Sequence, residues 1–319
     1  MKRMNFAQKT LLVMVVMFVS TSFALTAQTY RYIKGWSKDA NDRIESFLNS
    51  TITMKERKVA IFDCDGTLFG QVPYYLADEG LLDHAKKTYA GKNDKLSKEK
   101  MAIVDDMVNG PDNVGIAYVQ KRIKYFAGLT PDEISTIGNN CYHEKFQGKM
   151  YPEMKEFLAN LEEYGIEIWV LTASPEFLYQ RFVHEQLGIP VDRIIGVKST
   201  VRDGITTDEI VTPVPQDWGK AETIHTFIKA RPIIVGGNSR GDMEMMDESV
   251  GMKLMVNPDD VKIEKNHAGK MEGMTVKQYW DKDPNAVIVY CNDVPEGNPT
   301  YATKEMGMKA NKTNAKPKH

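Results

Sequence analysis

Four short apolar segments alternate with helical patterns along the chain, and this alternation limits the possible fold more than any other feature. The segments are typical of strands buried in a parallel sheet. They are 58–63 (KVAIFD), 166–172 (IEIWVLT), 232–237 (PIIVGG) and 252–257 (MKLMVN). The alternation predicts an α/β fold with a doubly wound parallel sheet. Such sheets bind their ligands at the carboxyl ends of the strands.

The predicted helices between these strands have clear start and stop signals. The segment YPEMKEFLANLEEYG has one apolar face and stops at Gly165. The next helix is predicted to begin with Ser174 as N-cap and Pro175 at its first position, and to end at Gly188. Another helix is predicted over GKAETIHTFIKA, and a lead-in helix over DANDRIESFLNS.

The stretch between the first two strands breaks this rhythm. Thr130 followed by Pro131 marks the start of one of its helices. The helices predicted in this stretch cover about 74–90, 97–108, 112–127 and 131–145. We interpret 71–149 as a small helical cap, inserted into a core made of 28–70 and 150–300. The lysine-rich segment 301–319 is predicted to be a disordered tail.

Residues 1–27 have the three-part pattern of a secretory signal peptide. Basic residues precede an apolar run over 11–19, and small residues follow, with cleavage expected after Ala24 or Ala27. An uncleaved membrane anchor is the alternative, although the run is short for a spanning helix. The sequence therefore predicts an exported protein, periplasmic or secreted, with no stable membrane insertion after cleavage.

Charge argues against nucleic acid as a partner. The net charge of the full chain is -2, and loss of the three basic residues of the signal peptide changes it to -5. No basic stripe interleaved with aromatic residues is present in the sequence. The sequence does not indicate an oligomeric state.

The chain has three cysteines, Cys64, Cys141 and Cys291. An odd number cannot all pair within one exported chain. Cys64 lies between two acids and is expected to be a free thiol. Whether Cys141 and Cys291 pair stays open, because the sequence does not give their separation.

The first strand ends at Asp63 and Asp65, two carboxylates one residue apart. Their charges repel, and a divalent cation such as Mg²⁺, which prefers oxygen ligands and phosphate, would neutralise them. One carboxylate can attack phosphorus, and the other can protonate the leaving alkoxide and then activate water. Taken alone, Asp-x-Asp-Gly-Thr also fits a calcium-type loop or a plain turn.

Two further positions suit phosphate binding. Thr172 and Ala173 end the second strand, where a hydroxyl and the backbone N–H groups of the following helix can donate to phosphate oxygens. Lys220 opens a later helix, and a lysine there opposes the helix dipole unless an anion lies nearby. Taken alone, the segment after the second strand is more simply interpreted as a helix cap, and Lys220 as a solvated lysine.

The third strand ends in GGNSRGDMEMM. Gly236 and Gly237 permit close approach of the backbone. Asn238 and Asp242 then supply oxygen ligands four residues apart. A glycine-rich turn is the alternative.

The order of these four segments resembles the haloacid dehalogenase-like (HAD) superfamily of phosphohydrolases, over about 58–257. Within it, VAIFDCDGT, GLTPDEI, WVLTASPE and GGNSRGDMEMM are most similar to the phosphoserine phosphatase and phosphorylcholine phosphatase branch. The resemblance implies a Rossmann-like core with a helical cap and a Mg²⁺-dependent phosphatase. One position departs from the pattern: most relatives begin the last motif with Gly-Asp, where this chain has Asn238.

The resemblance also implies a role for each motif residue. Asp63 is the nucleophile and Asp65 the general acid and base, whereas Thr172 and Lys220 hold the phosphoryl group. Asn238 and Asp242 complete the Mg²⁺ site. The resemblance also implies that dehalogenases lack the second acid, so Asp65 argues against dehalogenation.

The substrate expected from a closed cap is a small phosphomonoester, like phosphoserine or phosphorylcholine. Aromatic residues of the cap suit either a cage for a quaternary ammonium or packing of the cap core. They are Tyr74, Tyr75, Tyr89, Tyr118, Tyr125, Phe126, Tyr142 and Phe146. Asp78 and Glu79 suit either pairing with a substrate amine or, as we expect, a solvated surface. A broad acid phosphatase and a non-catalytic exported binding protein remain alternatives.

Overall fold

The computed structural model describes residues 28–111, 115–258, 262–263, 271–293 and 301–308. In these ranges, seven strands form a single sheet. The strands are β1 (Val59–Phe62), β2 (Glu167–Pro175), β3 (Ile194–Arg202), β4 (Ile205–Val211), β5 (Ile234–Gly237), β6 (Met252–Val256) and β7 (Ala286–Val289). Their order is β4-β3-β2-β1-β5-β6-β7, and only β4 runs antiparallel to its neighbour. The predicted doubly wound α/β fold is confirmed.

Strand β1 lies at the centre of the sheet and is fully buried. Ala60 pairs in register with Ile168 of β2 on one side and with Ile234 of β5 on the other. Because the three strands are parallel and in register, their carboxyl ends meet at one edge of the sheet. The four predicted strands all exist, whereas β3, β4 and β7 were not predicted.

Helices cover both faces of the sheet. They are α1 (Lys38–Ser50), α2 (Leu76–Thr88), α3 (Lys95–Asn109), α4 (Gly115–Phe126), α5 (Pro131–Cys141), α6 (Pro152–Glu163), α7 (Glu176–Leu187), α8 (Trp218–Thr223), α9 (Met243–Asp247), α10 (Val276–Trp280) and α11 (Tyr301–Glu305). The predicted stop of α7 at Gly188 is confirmed, since Gly188 adopts the left-handed conformation at φ 70°. The predicted start is wrong, because β2 continues through Pro175 and the Ser174 side chain does not cap the helix.

Helices α2 to α5 occupy the stretch in which the sequence predicts a cap. Thr130 is the N-cap of α5, with Glu133 completing a reciprocal capping box. On one side, α4 packs Val119 and Ile123 against Val197 of β3. The inserted helices therefore rest on the core next to the carboxyl end of β2 and on the β3–β4 hairpin.

Residues 301–308 are folded, so the prediction of a disordered tail is wrong for this part of 301–319. Helix α11 packs on α2, where the buried Glu79 carboxylate accepts hydrogen bonds from the backbone N–H groups of Ala302 (2.9 Å) and Thr303 (3.1 Å). Ala302 belongs to the main hydrophobic core. The rest of the predicted tail lies outside the described residues.

All three cysteines are buried and unpaired, so Cys141 and Cys291 do not form a disulfide in this structure. None of the helices in the described ranges has both the length and the apolar character needed to cross a bilayer. The predicted signal peptide, 1–27, lies outside these ranges.

Candidate active site

The polar residues predicted from the strand ends lie together at the carboxyl edge of the sheet. Asp63 follows β1 directly, and its backbone N–H donates to the carbonyl oxygen of Gly236 in β5 at 3.0 Å. Thr172 lies in β2, and Asn238 follows β5. Parallel pairing therefore brings together residues that are 66 to 175 positions apart in the sequence.

Lys220 lies between two carboxylates. Its Nζ is 2.6 Å from Oδ1 of Asp63 and 2.6 Å from Oδ1 of Asp242, and all three side chains are buried. Burial alone would lower the pKa of Lys220, but the two carboxylates outweigh burial and hold that pKa above its usual value. The lysine is therefore a fixed cation beside Asp63, at a helix start that would otherwise disfavour it.

Asp63 itself lies in an environment with too much negative charge. Burial raises its pKa above the usual range, Lys220 opposes that shift, and the charges of Asp242 and Asp65 add to it. Two ionised carboxylates, Asp63 and Asp242, against the one ammonium of Lys220 leave an excess of one negative charge. A divalent cation would offset that excess, so the chemistry of the donor set fits Mg²⁺.

Asp65 points away from this cluster toward three hydroxyl groups. Its carboxylate accepts hydrogen bonds from Tyr179 (2.7 Å), Ser174 (3.1 Å) and Thr172 (3.3 Å). Burial raises the pKa of Asp65, while the hydrogen bond from Tyr179 and the charge of Arg122 lower it. Asp65 is therefore held apart from Asp63 in its own polar pocket.

One of these contacts contradicts a sequence prediction, whereas the phosphate-binding role of Thr172 stays a prediction. Ser174, predicted as a helix cap, donates its hydroxyl to Asp65 instead. Thr172, predicted to bind phosphate with Ala173, also donates its hydroxyl to Asp65. The same hydroxyl accepts a hydrogen bond from the backbone N–H of Ser174 at 3.1 Å. Tyr179 was missed. Only its place on the first turn of the helix after β2 could have indicated it.

Asp242 is fixed by its own loop. Its Oδ2 accepts from the backbone N–H groups of Asn238 and Ser239, both at 3.0 Å, and from the Ser239 hydroxyl at 3.1 Å. Its Oδ1 remains directed at Lys220. The loop therefore presents one carboxylate oxygen to the site in a defined direction.

The side-chain amide of Asn238 lies against the turn that follows Asp65. Gly66 has φ +83°, and a Cβ on it would overlap the Asn238 amide nitrogen. Only glycine combines that backbone conformation with such a close approach. The predicted neighbourhood of Asp63, Asn238 and Asp242 is thus present, with Gly66 as the residue that permits it.

The inserted helices contribute a buried cation, Arg122 of α4. Its Nη2 is 2.7 Å from the Asp78 carboxylate, which also accepts from the Tyr118 hydroxyl at 3.0 Å. The guanidinium lies 4.8 Å from the ring centre of Tyr118 and 5.9 Å from that of Tyr75. The positive charge of Arg122 therefore already contacts the rings of Tyr75 and Tyr118.

The expectation that Asp78 and Glu79 are solvated surface acids is wrong. Asp78 is buried with Arg122, and Glu79 is buried with Lys145, whose Nζ lies 2.8 Å from its carboxylate. Each acid has a basic partner on a different helical segment. Both residues therefore hold the inserted helices together.

Among the described residues, no group of three His, Cys, Asp or Glu side chains is placed to hold a metal ion. The carboxyl group of Asp65 faces Tyr179 and the β2 hydroxyls. The Asp63 and Asp242 carboxylates and the neighbouring Asn238 remain as the side chains that could hold Mg²⁺. The four-residue ligand set thus stays a prediction, with Asp65 the least suited member by its side chain.

A family model for haloacid dehalogenase-like hydrolases matches residues 60–247, more than half of the chain. The chain belongs to the haloacid dehalogenase-like hydrolase family. The predicted family is thereby confirmed. The matched span begins in β1 and ends with α9, so it contains every predicted site residue.

A curated protein is similar to part of this chain. Phosphoserine phosphatase SerB1 of Mycobacterium tuberculosis is 23% identical over 145 residues, which are 44% of this chain and 46% of that protein. The chain thus spans about half the length of the curated relative that it matches.

Two solved structures share the fold of this haloacid dehalogenase-like chain. A protein of unknown function from Bordetella pertussis has a TM-score of 0.52 at 15% identity, covering 64% of this chain and 92% of the other. A functionally unknown protein from Anaerococcus prevotii has a TM-score of 0.51 at 14% identity, covering 69% and 87%. At these identities, the likeness concerns the fold alone.

Proposed function

We propose that this hydrolase is an exported, Mg²⁺-dependent phosphatase that cleaves a small phosphomonoester through an aspartyl-phosphate intermediate. The observation that carries the proposal is the pair of separated carboxylates. Asp63 is held beside the cation of Lys220, and Asp65 is held by hydroxyls from β2 and α7. Export rests on the N-terminal sequence pattern alone.

In the first step, an oxygen of Asp63 attacks phosphorus and the bond to the leaving alkoxide breaks. Asp65, in its protonated form, gives its proton to the alkoxide, which leaves as an alcohol. In the second step, Asp65 takes a proton from water. The resulting hydroxide attacks phosphorus, which releases inorganic phosphate and restores the Asp63 carboxylate.

The remaining residues serve binding and charge. Lys220 offsets negative charge on the phosphoryl oxygens, and Asp242 orients Lys220. Thr172 keeps the second acid in place. Asp63 and Asp242, with Asn238, would hold Mg²⁺, which when bound supplies further neutralisation of the phosphoryl charge.

The position of Arg122 bears on the substrate class. A quaternary ammonium would have to compete for the rings of Tyr75 and Tyr118 with the guanidinium that already contacts both of them. This competition disfavours phosphorylcholine, although Asp78 neutralises the charge of Arg122. A carboxylate-bearing substrate such as phosphoserine is compatible with Arg122, and this agrees with the name of the Mycobacterium tuberculosis relative.

A substrate panel tests the function. Purified protein with Mg²⁺ is assayed against p-nitrophenyl phosphate, phosphoserine, phosphorylcholine and other small phosphomonoesters. A preference for a few small esters supports the proposal. Equal turnover of all of them indicates a broad acid phosphatase, and no turnover of any indicates a binding protein; either result overturns it.

The Mg²⁺ requirement of two variants tests the metal site. Asp242→Asn removes a carboxylate, so the Mg²⁺ concentration for half-maximal activity should rise sharply. Asn238→Asp adds a charged oxygen and should lower that concentration, with turnover changed less than metal affinity. The measurement is activity against Mg²⁺ concentration at one pH. Asn285→Asp, the same change at an exposed position, is the control. Unmoved midpoints in both site variants would mean that this loop does not hold the metal.

Removal of the Tyr179 hydroxyl should change the pH profile. The hydrogen bond from Tyr179 lowers the pKa of Asp65, so Tyr179→Phe should raise that pKa. Asp65 must be protonated to act as the acid, and a higher pKa keeps it protonated to higher pH. The alkaline limb of kcat/KM for an alkyl phosphate should therefore move to higher pH.

Tyr142→Phe is the matched control for this measurement. It removes another largely buried hydroxyl, which donates to the carbonyl oxygen of Gln147 rather than to Asp65. Its pH profile should equal that of the wild type. If the limb moves down or stays in place in Tyr179→Phe, Asp65 is not the acid that the profile reports.

A further inference from the structure

The loop that leads into Lys220 contains a tight turn over residues 216–219. The N–H of Gly219 donates to the carbonyl oxygen of Gln216 at 2.9 Å, and Asp217 has φ 50° and ψ −128°. This is the geometry of a type II′ turn with Asp217 at its first central position, where glycine is strongly preferred. The N–H of Lys220 then donates to the carbonyl oxygen of Asp217 at 3.0 Å. The turn therefore sets the direction of the backbone at Lys220.

The neighbouring position also restricts this loop. A Cβ on Gly219 would overlap the carbonyl oxygen of Val214. The turn is thus folded closely against the preceding segment and has little room to shift as a unit. Small changes at Asp217 would be passed directly to Lys220.

The Asp217 side chain connects this turn to the loop that carries Asp242. Its Oδ1 accepts a hydrogen bond from Nη1 of Arg240 at 3.0 Å, and Arg240 lies two residues before Asp242. Arg240 also pairs with Glu244 on α9 at 3.3 Å. The ion pair therefore joins the two loops that supply the cation and one carboxylate of the site.

Stability does not account for aspartate at this position. A non-glycine residue in this backbone conformation is strained. The ion pair that it gains is partly exposed, with 42% of the Asp217 side chain and 20% of the Arg240 side chain accessible, and such pairs contribute little to stability. Glycine would give the more stable turn, so the carboxylate of Asp217 is expected to serve the active site rather than stability.

We propose that Asp217 and Arg240 are positioning residues, whose ion pair fixes the Lys220 loop relative to the Asp242 loop. The inference rests on the proposed phosphatase function. Lys220 contacts Asp242 of the other loop and Asp63 after β1, and a bound phosphoryl group would compete for the same ammonium. The Asp217–Arg240 ion pair keeps the two loops in place when Lys220 turns to the phosphoryl oxygens.

Variants at Asp217 and Arg240 separate positioning from a structural role. Asp217→Gly should raise the thermal unfolding midpoint, because it relieves the strained turn, yet lower kcat by about tenfold, because misplaced catalytic groups lose rate steeply. Arg240→Gln should lower kcat to a similar degree, and Arg240→Lys should restore part of it. The double variant should be no slower than either single one, since both remove the same contact.

Arg202→Gln, which breaks the exposed Arg202–Glu209 pair on the β3–β4 hairpin, is the control and should leave kcat unchanged. If stability and kcat fall together in Asp217→Gly and Arg240→Gln, the pair is merely structural. If kcat is unchanged in both variants, the inference is likewise overturned.

A second probe separates failure of this inference from failure of the proposed function. Binding of inorganic phosphate, measured by calorimetry, does not require turnover. A wild-type protein that hydrolyses no phosphomonoester overturns the proposed function. Phosphate binding that is then weakened about tenfold in Asp217→Gly and Arg240→Gln still supports the positioning role. If both variants bind phosphate as tightly as the wild type, the positioning role is overturned.

Discussion

Replacement of Asp63 by asparagine should reduce turnover of every phosphomonoester by roughly 10³-fold or more. The amide cannot form the aspartyl-phosphate, so binding of beryllium fluoride as a mimic of that intermediate should also be lost. The measurements are kcat on p-nitrophenyl phosphate and beryllium fluoride binding. Asp208→Asn, the same change at an exposed position of β4, should have wild-type activity.

The same variant should keep the fold. Lys220 retains its contact with Asp242 at 2.6 Å, so no unpaired buried cation is created. The pKa of Asp63 is raised in the folded protein, so its ionised form costs stability above the pKa of the unfolded chain. Asparagine removes that cost at neutral pH. In the absence of Mg²⁺, the unfolding midpoint by circular dichroism should therefore be unchanged or higher. Activity within tenfold of the wild type, in a folded protein, would contradict the role of nucleophile.

Sequence reasoning placed the central residues of the site because parallel strands impose a simple geometry. Asp63 and Asn238 each lie just beyond the end of a strand, and Thr172 lies in the last four residues of β2, so their proximity follows from strand order. Lys220 was predicted to lie near an anion because of the helix dipole, and it contacts Asp63. These inferences need only local patterns and one rule of topology.

The contacts that the sequence did not predict depend on how helices pack. Tyr179 reaches Asp65 across 114 positions, and nothing in its local pattern distinguishes it from a core tyrosine. Asp78 and Glu79 were expected at the surface because their partners, Arg122 and Lys145, lie on other helical segments. Whether a charged side chain can be buried depends on how close a partner of opposite charge lies, and the sequence does not give the distance between the two.

Other misses had a usable signal. The β3–β4 hairpin turns at Asp203 and Gly204, both with positive φ, which is the preferred two-residue connection between antiparallel strands. Asp-Gly between two β-rich segments would have predicted it. At Ser174, by contrast, the Ser-Pro pattern favoured a helix start, but pairing of Pro175 with Val197 of β3 extends the strand instead.

The protonation role of Asp65 predicts losses that depend on the leaving group. An alkoxide is a poor leaving group and needs a proton, whereas p-nitrophenolate departs without one. Asp65→Asn should therefore lower kcat/KM, which reports the first step alone, by about 10²–10⁴-fold on an alkyl phosphate and by much less on p-nitrophenyl phosphate. The amide oxygen of asparagine can still accept from one of the two hydroxyls, Tyr179 on Oδ1 or Ser174 on Oδ2, and its NH2 group can donate to the hydroxyl oxygen of the other, so the side chain should keep its place.

The comparison between the two substrates makes this test specific, because a general disturbance of the site would slow both reactions alike. The measurement is a plot of log kcat/KM against the pKa of the leaving group for wild type and Asp65→Asn. The slope should become steeper in the variant, since unassisted departure depends strongly on leaving-group basicity. Parallel lines would instead assign Asp65 to holding the structure or the metal. In that case the hydroxyls of Thr172 and Ser174 orient an acid that does not transfer the proton.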